Sequence, residues 1–315
     1  MTRAQLARTC RHVEQQLRAD PAFAHTRSFL VTREGRRLYD ADLGDDRPAD
    51  VFSVTKTVVA VLTGIALRDG VLPADLDTRL IELLPALDGA PAARHTVRQL
   101  LTMTRGAATT GESDVDRVMA RSGSWSDAFA WAPQVARRGS RFEYDNGGPH
   151  LLATILQQLL GADLETFAAE RLFAPLGIDR WRWTRDPENV PCGFGHLALA
   201  PTALERIGRL LLDRGVWEGV ELLDPGFAAA MTSRQVAGGA PEYHDYGFLA
   251  WVGEGYCFAA GWAGNHVVVA PRTRTVIVIT GDPQFDPGPP PRDALQAGWR
   301  PGFELISREV LSLVL

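Results

Sequence analysis

Ser53 and Lys56 stand three residues apart in "VFSVTKTVVAVLTGIALRDG", residues 51–70. Lys56 is the only lysine in the chain, and every other one of the 33 basic residues is arginine. A guanidinium stays protonated in proteins and cannot act as a base. An amine gives up its proton when it is desolvated. Residues three apart on a helix share a face. An amine at position 56 would therefore lie beside a hydroxyl at position 53 and could take its proton. The helix N-terminus would stabilise negative charge developing on an acyl oxygen. A lone Ser-x-x-Lys is a weak pattern. Of the ten serines here, however, only Ser53 has any basic residue three positions later.

Two further stretches carry candidate chemistry. In "RGSRFEYDNGGPHLLATIL", Tyr144 and Asn146 are two apart in a Gly-rich turn, so they point the same way. Tyr144 suits a proton relay, and Asn146 suits holding a substrate amide or Lys56. The plainer reading is an aromatic packed on a turn and an Asn capping the next helix. In "AAGWAGNHVVVAP", small residues precede a strand and admit a close backbone or a substrate. The N–H of Asn265 would complete an oxyanion hole with that of Ser53. The plainer reading there is a bulge with a core Trp. His150 reads as a residue capping or packing at a helix start, and His266 as a strand residue. Nothing points to a Ser-His-Asp triad, and there is no Gly-x-Ser-x-Gly elbow, phosphate loop or His-Glu-x-x-His.

The elements that must position these residues follow from periodicity. A helix is expected over about Ala4–Arg18, then a hairpin around Arg33-Glu34-Gly35. Apolar spacing over Ser53–Arg68 reads as a helix ending at Asp69-Gly70. Helical stretches broken by Pro and Gly run on to about Pro175, and another covers about Pro201–Arg214. "YGFLAWVG", "YCFAAGW", "NHVVVAP" and "TVIVITG" read as an antiparallel meander, followed by a Pro-rich loop and a last helix over about Phe303–Leu313. Strands at both ends and helices between them predict an α+β fold. Its antiparallel sheet has about five strands and is flanked by the terminal helices. The expected division is 1–68 with 180–315 as a discontinuous sheet domain and 69–179 as a helical domain, with the site in the cleft between them.

Composition narrows the partners. At 45% hydrophobic and 23% charged with a formal net charge of -5, the chain reads as an ordinary globular protein without a basic block. Nucleic acid and anionic membranes are not expected partners. Cys10, Cys192 and Cys257 are too few and too spread for a disulfide framework or a zinc site. No metal and no cofactor is expected. The charged N-terminus lacks a secretion signal, and the reading is cytoplasmic.

Taken in order, Ser-x-x-Lys, Tyr-x-Asn and a Gly-containing triplet on a strand resemble the serine β-lactamase and penicillin-binding-protein superfamily. The resemblance is to the class C β-lactamase-like branch, with its carboxylesterases, D-amino-acid amidases and transesterases. It extends to "HTVRQLLTMTRG", "LETFAAERLFAPLGI" and "PCGFGHLALAPTALERIGRLLLDRG", and covers roughly Ser28–Thr280. It implies that Ser53 is the acylated nucleophile, Lys56 its general base, Tyr144 the proton-transfer partner and Asn146 a substrate contact. Trp262-Ala263-Gly264 would occupy the Lys-Thr-Gly place. A Trp there carries no cation for a substrate carboxylate and looks like the esterase-type branch. Met103 and Arg105, in the "LLTMTRG" stretch where relatives often carry His and Ser, read as structural variation. The resemblance therefore implies a serine hydrolase on small neutral esters. The alternatives are an acyltransferase or amidase, a weak β-lactamase, or a non-catalytic binding module.

Overall fold

The computed structural model describes residues 2–41, 43–44, 46–282 and 299–315. Helix α1 (Arg3–Ala19) starts in a capping box, where Thr2 and Gln5 each accept the other's backbone N–H. It buries Leu6, Cys10, Val13 and Leu17, an apolar stripe at helical spacing. Strands β1 (Thr26–Arg33) and β2 (Arg36–Ala41) form the expected hairpin. Its turn residues Glu34 and Gly35 both take positive φ, as a two-residue turn that keeps the strand twist requires. After β3 (Ala49–Asp50) comes α2 (Val54–Arg68), in which every residue from Val54 to Ala66 is buried. A helix apolar on all sides is a core helix.

The chain up to residue 179 is then mostly helical. It holds α3 (Leu80–Leu83), α4 (Val97–Leu101), α5 (Val115–Met119), α6 (Trp125–Ala130), α7 (Gly147–Leu160) and α8 (Leu164–Ala168). Strands β4 (Arg182–Trp183) and β5 (Leu197–Leu199) join β3 in a small antiparallel sheet of order β3-β5-β4. Helix α9 (Pro201–Leu212), the ribbon β6 (Val216–Trp217) and β7 (Val220–Glu221), and α10 (Pro225–Met231) follow. The meander comes next: β8 (Asp245–Tyr246), β9 (Trp251–Gly253), β10 (Tyr256–Gly261), β11 (Asn265–Ala270) and β12 (Thr275–Gly281). A terminal helix runs through Phe303–Leu305, Ile306–Leu311 and Ser312–Val314.

The main sheet has the order β2-β1-β12-β11-β10-β9-β8, every pair antiparallel. Side chains alternate between its faces. On β11, His266 stacks on Phe303 of the terminal helix at 4.1 Å, while Val267 faces Gly208 of α9. The terminal helices thus cover one face and α9 the other. The sheet has seven strands where about five were expected. "YGFLAWVG" folds back on itself, so that Tyr246 pairs with Trp251 across a turn in which Leu249 takes a φ of 50°. The Pro-rich loop falls largely at residues 283–298, outside the described residues. No helix among the described residues is long and apolar enough to cross a membrane, and no group of His, Cys, Asp or Glu there could hold a metal.

Ile277 lies in the middle of β12, fully buried between β1 and β11. Ile277→Ala should lower the unfolding free energy by about 2–5 kcal/mol, the range for such core truncations. Urea unfolding followed by circular dichroism measures the loss.

Candidate active site

Ser53 sits just ahead of α2, with helical dihedrals and no capping bond from its own side chain. The residue before it, Phe52, takes a φ of 48°. That is a left-handed conformation costly for a bulky residue. Asp50 holds the turn, its Oδ1 accepting the Phe52 N–H at 2.7 Å. The carbonyls of Val51, Phe52 and Ser53 accept the N–H groups of Val54, Thr55 and Lys56. The Oγ of Ser53 is left to its neighbours in space.

One helical turn on, Lys56 Nζ donates to Ser53 Oγ at 2.8 Å and to the Phe194 carbonyl at 2.9 Å. It also stands 4.9 Å from the centre of the Tyr144 ring. Lys56 is 1% exposed. Burial removes the hydration that an ammonium needs and pushes the amine down to about 7. The Asp145 carboxylate opposes that shift. The Cys192 thiol nearby is itself pushed up to about 12 by burial and is neutral at pH 7. Near neutrality, then, Lys56 exchanges a proton readily and lies in contact with the hydroxyl it would deprotonate.

The Tyr144 side chain lies within electrostatic reach of the Ser53 hydroxyl. Burial pushes its phenol above the usual tyrosine range; the Ser53 hydroxyl opposes this, and Glu242 and Asp145 add to it. The phenol therefore stays protonated at neutral pH and can pass a proton on. Its ring stacks on Trp251 with centroids 5.7 Å apart and planes 11° apart, which fixes its direction.

The loop that carries Tyr144 is clamped by a residue that sequence reasoning set aside. Arg105, 2% exposed, makes a bidentate pair with Asp145, and its Nη1 donates to the Phe129 carbonyl at 3.0 Å. Asp145 also accepts the N–H groups of Gly147 and Gly148 at 2.8 and 2.9 Å. Burial alone would raise this carboxyl; the Arg105 charge and the donors around it hold it below the usual range. Asp145, not Asn146, thus caps α7, whose N-cap Asn146 makes no side-chain bond to it. Asn146 is free to line the pocket, and it does. Gly147 is required here, because a Cβ would run into the Arg105 guanidinium and Phe129.

The third motif needs a correction. The glycine that meets the nucleophile is Gly261, at the end of β10, not Gly264. A Cβ on Gly261 would strike the Val51 carbonyl and reach 3.3 Å from the Ser53 nitrogen. A Cβ on Gly264 would face Pro301 and Trp299 instead. Asn265 is 2% exposed, pairs with Gly261 across the ladder, and spends its side chain on the Trp262 carbonyl and the Gly281 N–H. It locks the turn and does not line the pocket. "GWAG" offers two glycines three apart, and the pairing of β10 with β11 decides which one approaches Ser53.

The pocket has a volume of about 180 Å³. Beside Ser53, Asn146 and Trp262 it is lined by Phe52, Phe194 and His196, with Asp114 and Asp116 also bordering it. Trp262 packs edge-on against Phe52 with centroids 5.3 Å apart. The structure thus brings Ser53, Lys56, Tyr144, Asn146 and Trp262 together and leaves Gly264 and Asn265 outside. Sequence reasoning missed Arg105, Asp145, the Phe194 carbonyl and the pair of Asp50 with His196. His150 does pack in a helix, as expected. It is wholly buried, with Nε2 3.2 Å from Asp186 Oδ2 and Nδ1 accepting the Gly193 N–H at 3.3 Å.

Removing one partner of a buried ion pair leaves an uncompensated charge. Arg105→Met should therefore cost about 3–5 kcal/mol of stability. Adding Asp145→Asn to it should restore part of that loss, as measured by urea unfolding of both variants.

The β-lactamase family model matches residues 24–297. The 6-aminohexanoate-dimer hydrolase of Paenarthrobacter ureafaciens is 26% identical over 288 residues, covering 80% of this chain and 71% of that protein. Penicillin-binding protein 4 of Amycolatopsis lactamdurans is 26% identical over 269 residues, covering 72% and 70%. Among solved structures, EstCE1, a hydrolase with promiscuous acyltransferase activity, superposes with a TM-score of 0.71 at 18% identity, covering 89% of this chain and 94% of its own. The chain belongs to the β-lactamase family, whose members are serine hydrolases.

Proposed function

We propose that the protein hydrolyses small esters through an acyl-enzyme on Ser53. The observation that carries this reading is the 2.8 Å contact between Ser53 Oγ and an amine that burial brings to about 7. Neutral Lys56 takes the Ser53 proton as Oγ attacks the substrate carbonyl. Tyr144, protonated and beside Lys56, passes a proton to the departing alcohol. The amide N–H of Ser53, at the entry to α2, stabilises charge on the carbonyl oxygen.

The pocket supports an acyl group without negative charge. Two carboxylates, Asp114 and Asp116, border it, and its described lining holds no Lys or Arg. Trp262 and Phe52 offer apolar contact. A second reading, hydrolysis of small amides, is supported by the relative named for the 6-aminohexanoate dimer. The acyl transfer of EstCE1 supports alcohols or amines as further acceptors.

Ser53→Ala should abolish release of p-nitrophenol from p-nitrophenyl acyl esters and the acyl adduct seen by intact mass. Retention of full activity would sink the proposal. Lys56→Arg places a permanent cation at that position and removes the base, so kcat/KM should fall by about 10²–10⁴, the usual contribution of a positioned base. In the unaltered protein, kcat/KM should rise with pH through about 7 and then level off. Below that point Lys56 is an ammonium and cannot accept a proton. Matched ester substrates with and without a carboxylate near the acyl carbonyl should differ by roughly tenfold or more in kcat/KM in favour of the neutral one, the scale of one charge-assisted contact.

A further inference from the structure

His196 borders the same pocket as Ser53, Asn146 and Trp262, and none of the steps above uses it. Its Nδ1 lies 2.7 Å from Asp50 Oδ2. A carboxylate only accepts, so Nδ1 carries the proton and Nε2 of the neutral ring holds the lone pair. His196 lines the pocket and Asp50 does not. Nε2 has no hydrogen-bond partner among the described residues, and it is not sealed away from solvent.

This pair is built into the fold. Strands β3 and β5 place Asp50 opposite Ala198, and the Val51 N–H donates to the Leu197 carbonyl at 2.9 Å. The other oxygen of Asp50 holds the Phe52 N–H. One carboxylate thus orients both His196 and the turn that presents Ser53. Phe52 and Phe194 meet the imidazole edge-on, with centroids 6.2 and 6.4 Å away. His196 keeps a φ of 59°, a left-handed conformation that glycine adopts at lower cost. Strain kept at the wall of a site points to a role for the side chain.

We propose that His196 is the catalytic base of deacylation and that Asp50 is its positioning residue. The proposal rests on the acyl-enzyme reading of Ser53. Lys56 is suited to acylation, being buried against Oγ and the Phe194 carbonyl. His196 lines the pocket onto which Ser53 opens. Its Nε2 takes a proton from a water as the water oxygen bonds to the acyl carbon, and the carbonyl electron pair moves onto oxygen. When that pair returns, the bond from carbon to Ser53 Oγ breaks. The imidazolium proton passes to Oγ, leaving the free acid, the serine hydroxyl and neutral His196. An alcohol or amine entering in place of water would lose its proton to the same atom and leave as an ester or amide.

The test compares the unaltered enzyme with His196→Gln and Asp50→Asn. It uses burst kinetics with p-nitrophenyl acetate, intact mass, and labelling of Ser53 by a fluorophosphonate. In His196→Gln, labelling and kcat/KM should stay within about threefold, kcat should fall by about 10² or more, and the acetyl adduct should accumulate. Asp50→Asn, whose amide oxygen can still accept the Phe52 N–H, should lower kcat with kcat/KM held, a split that a purely structural loss would not produce. A His196→Gln enzyme that labels normally and deacylates at the unaltered rate overturns the proposal and leaves the acyl-enzyme reading standing. Loss of both labelling and turnover in the two variants also overturns it, because the pair then only holds the Ser53 turn. If Ser53 takes no label in the unaltered enzyme, the acyl-enzyme reading itself falls.

Discussion

The site depends on an amine buried without a carboxylate bonded to it. An ammonium in that position loses most of its hydration, which costs several kcal/mol unless it is repaid. Lys56 receives only a carbonyl, a hydroxyl and the face of a tyrosine ring. That is enough for a neutral amine and poor for a cation, so the proton is held loosely. The buried helix α2 makes this possible. Every residue from Val54 to Ala66 is buried, Lys56 among them at 1% exposed.

Around the amine, backbone does much of the positioning. The Phe194 carbonyl fixes Nζ, the left-handed Phe52 turns Ser53 toward it, and the end of β10 at Gly261 closes against the Ser53 nitrogen. Of these, only the Phe52 turn is held by a polar side chain, that of Asp50. Each is set by an element anchored elsewhere: Phe52 by Asp50 on β3, and Gly261 by its pairing with β11. A geometry assembled from fixed backbone needs little rearrangement when charge develops, which is the condition for electrostatic stabilisation of a transition state.

The sequence shows the parts of this site that depend on short spacing. Ser53 and Lys56 are one helical turn apart, and Tyr144 lies in a Gly-rich turn before a helix; local rules carry both. The α+β fold was legible because strand and helix periods separate cleanly along the chain. Contacts between distant segments were not. Nothing near Arg105 announces Asp145, forty residues on, and a carbonyl such as that of Phe194 has no signature at all. The third motif failed for a related reason. Gly261 and Gly264 are equivalent in composition, and only the register of β10 on β11 separates them. In "YGFLAWVG" the apolar run reads as a single strand, whereas the left-handed Leu249 folds it into two.

Two buried cations stand close to this site, and their chemistry explains why one is Lys and the other Arg. Asp145 must be ionised to accept the N–H groups of Gly147 and Gly148 and so fix the Tyr144 turn. Its negative charge also draws Lys56 toward the ammonium form. Arg105 supplies the charge that keeps Asp145 ionised. Its guanidinium cannot release its proton, and its two parallel donors fit the carboxylate. A lysine at position 105 would supply one point charge and could itself be neutralised by burial. An arginine at position 56 would never be a base. Permanent charge at 105 keeps Asp145 ionised, while burial brings the amine at 56 down to about 7 against the pull of that carboxylate. The two positions thus call for different basic groups: one that keeps its charge against a buried carboxylate, and one that can lose it against a hydroxyl.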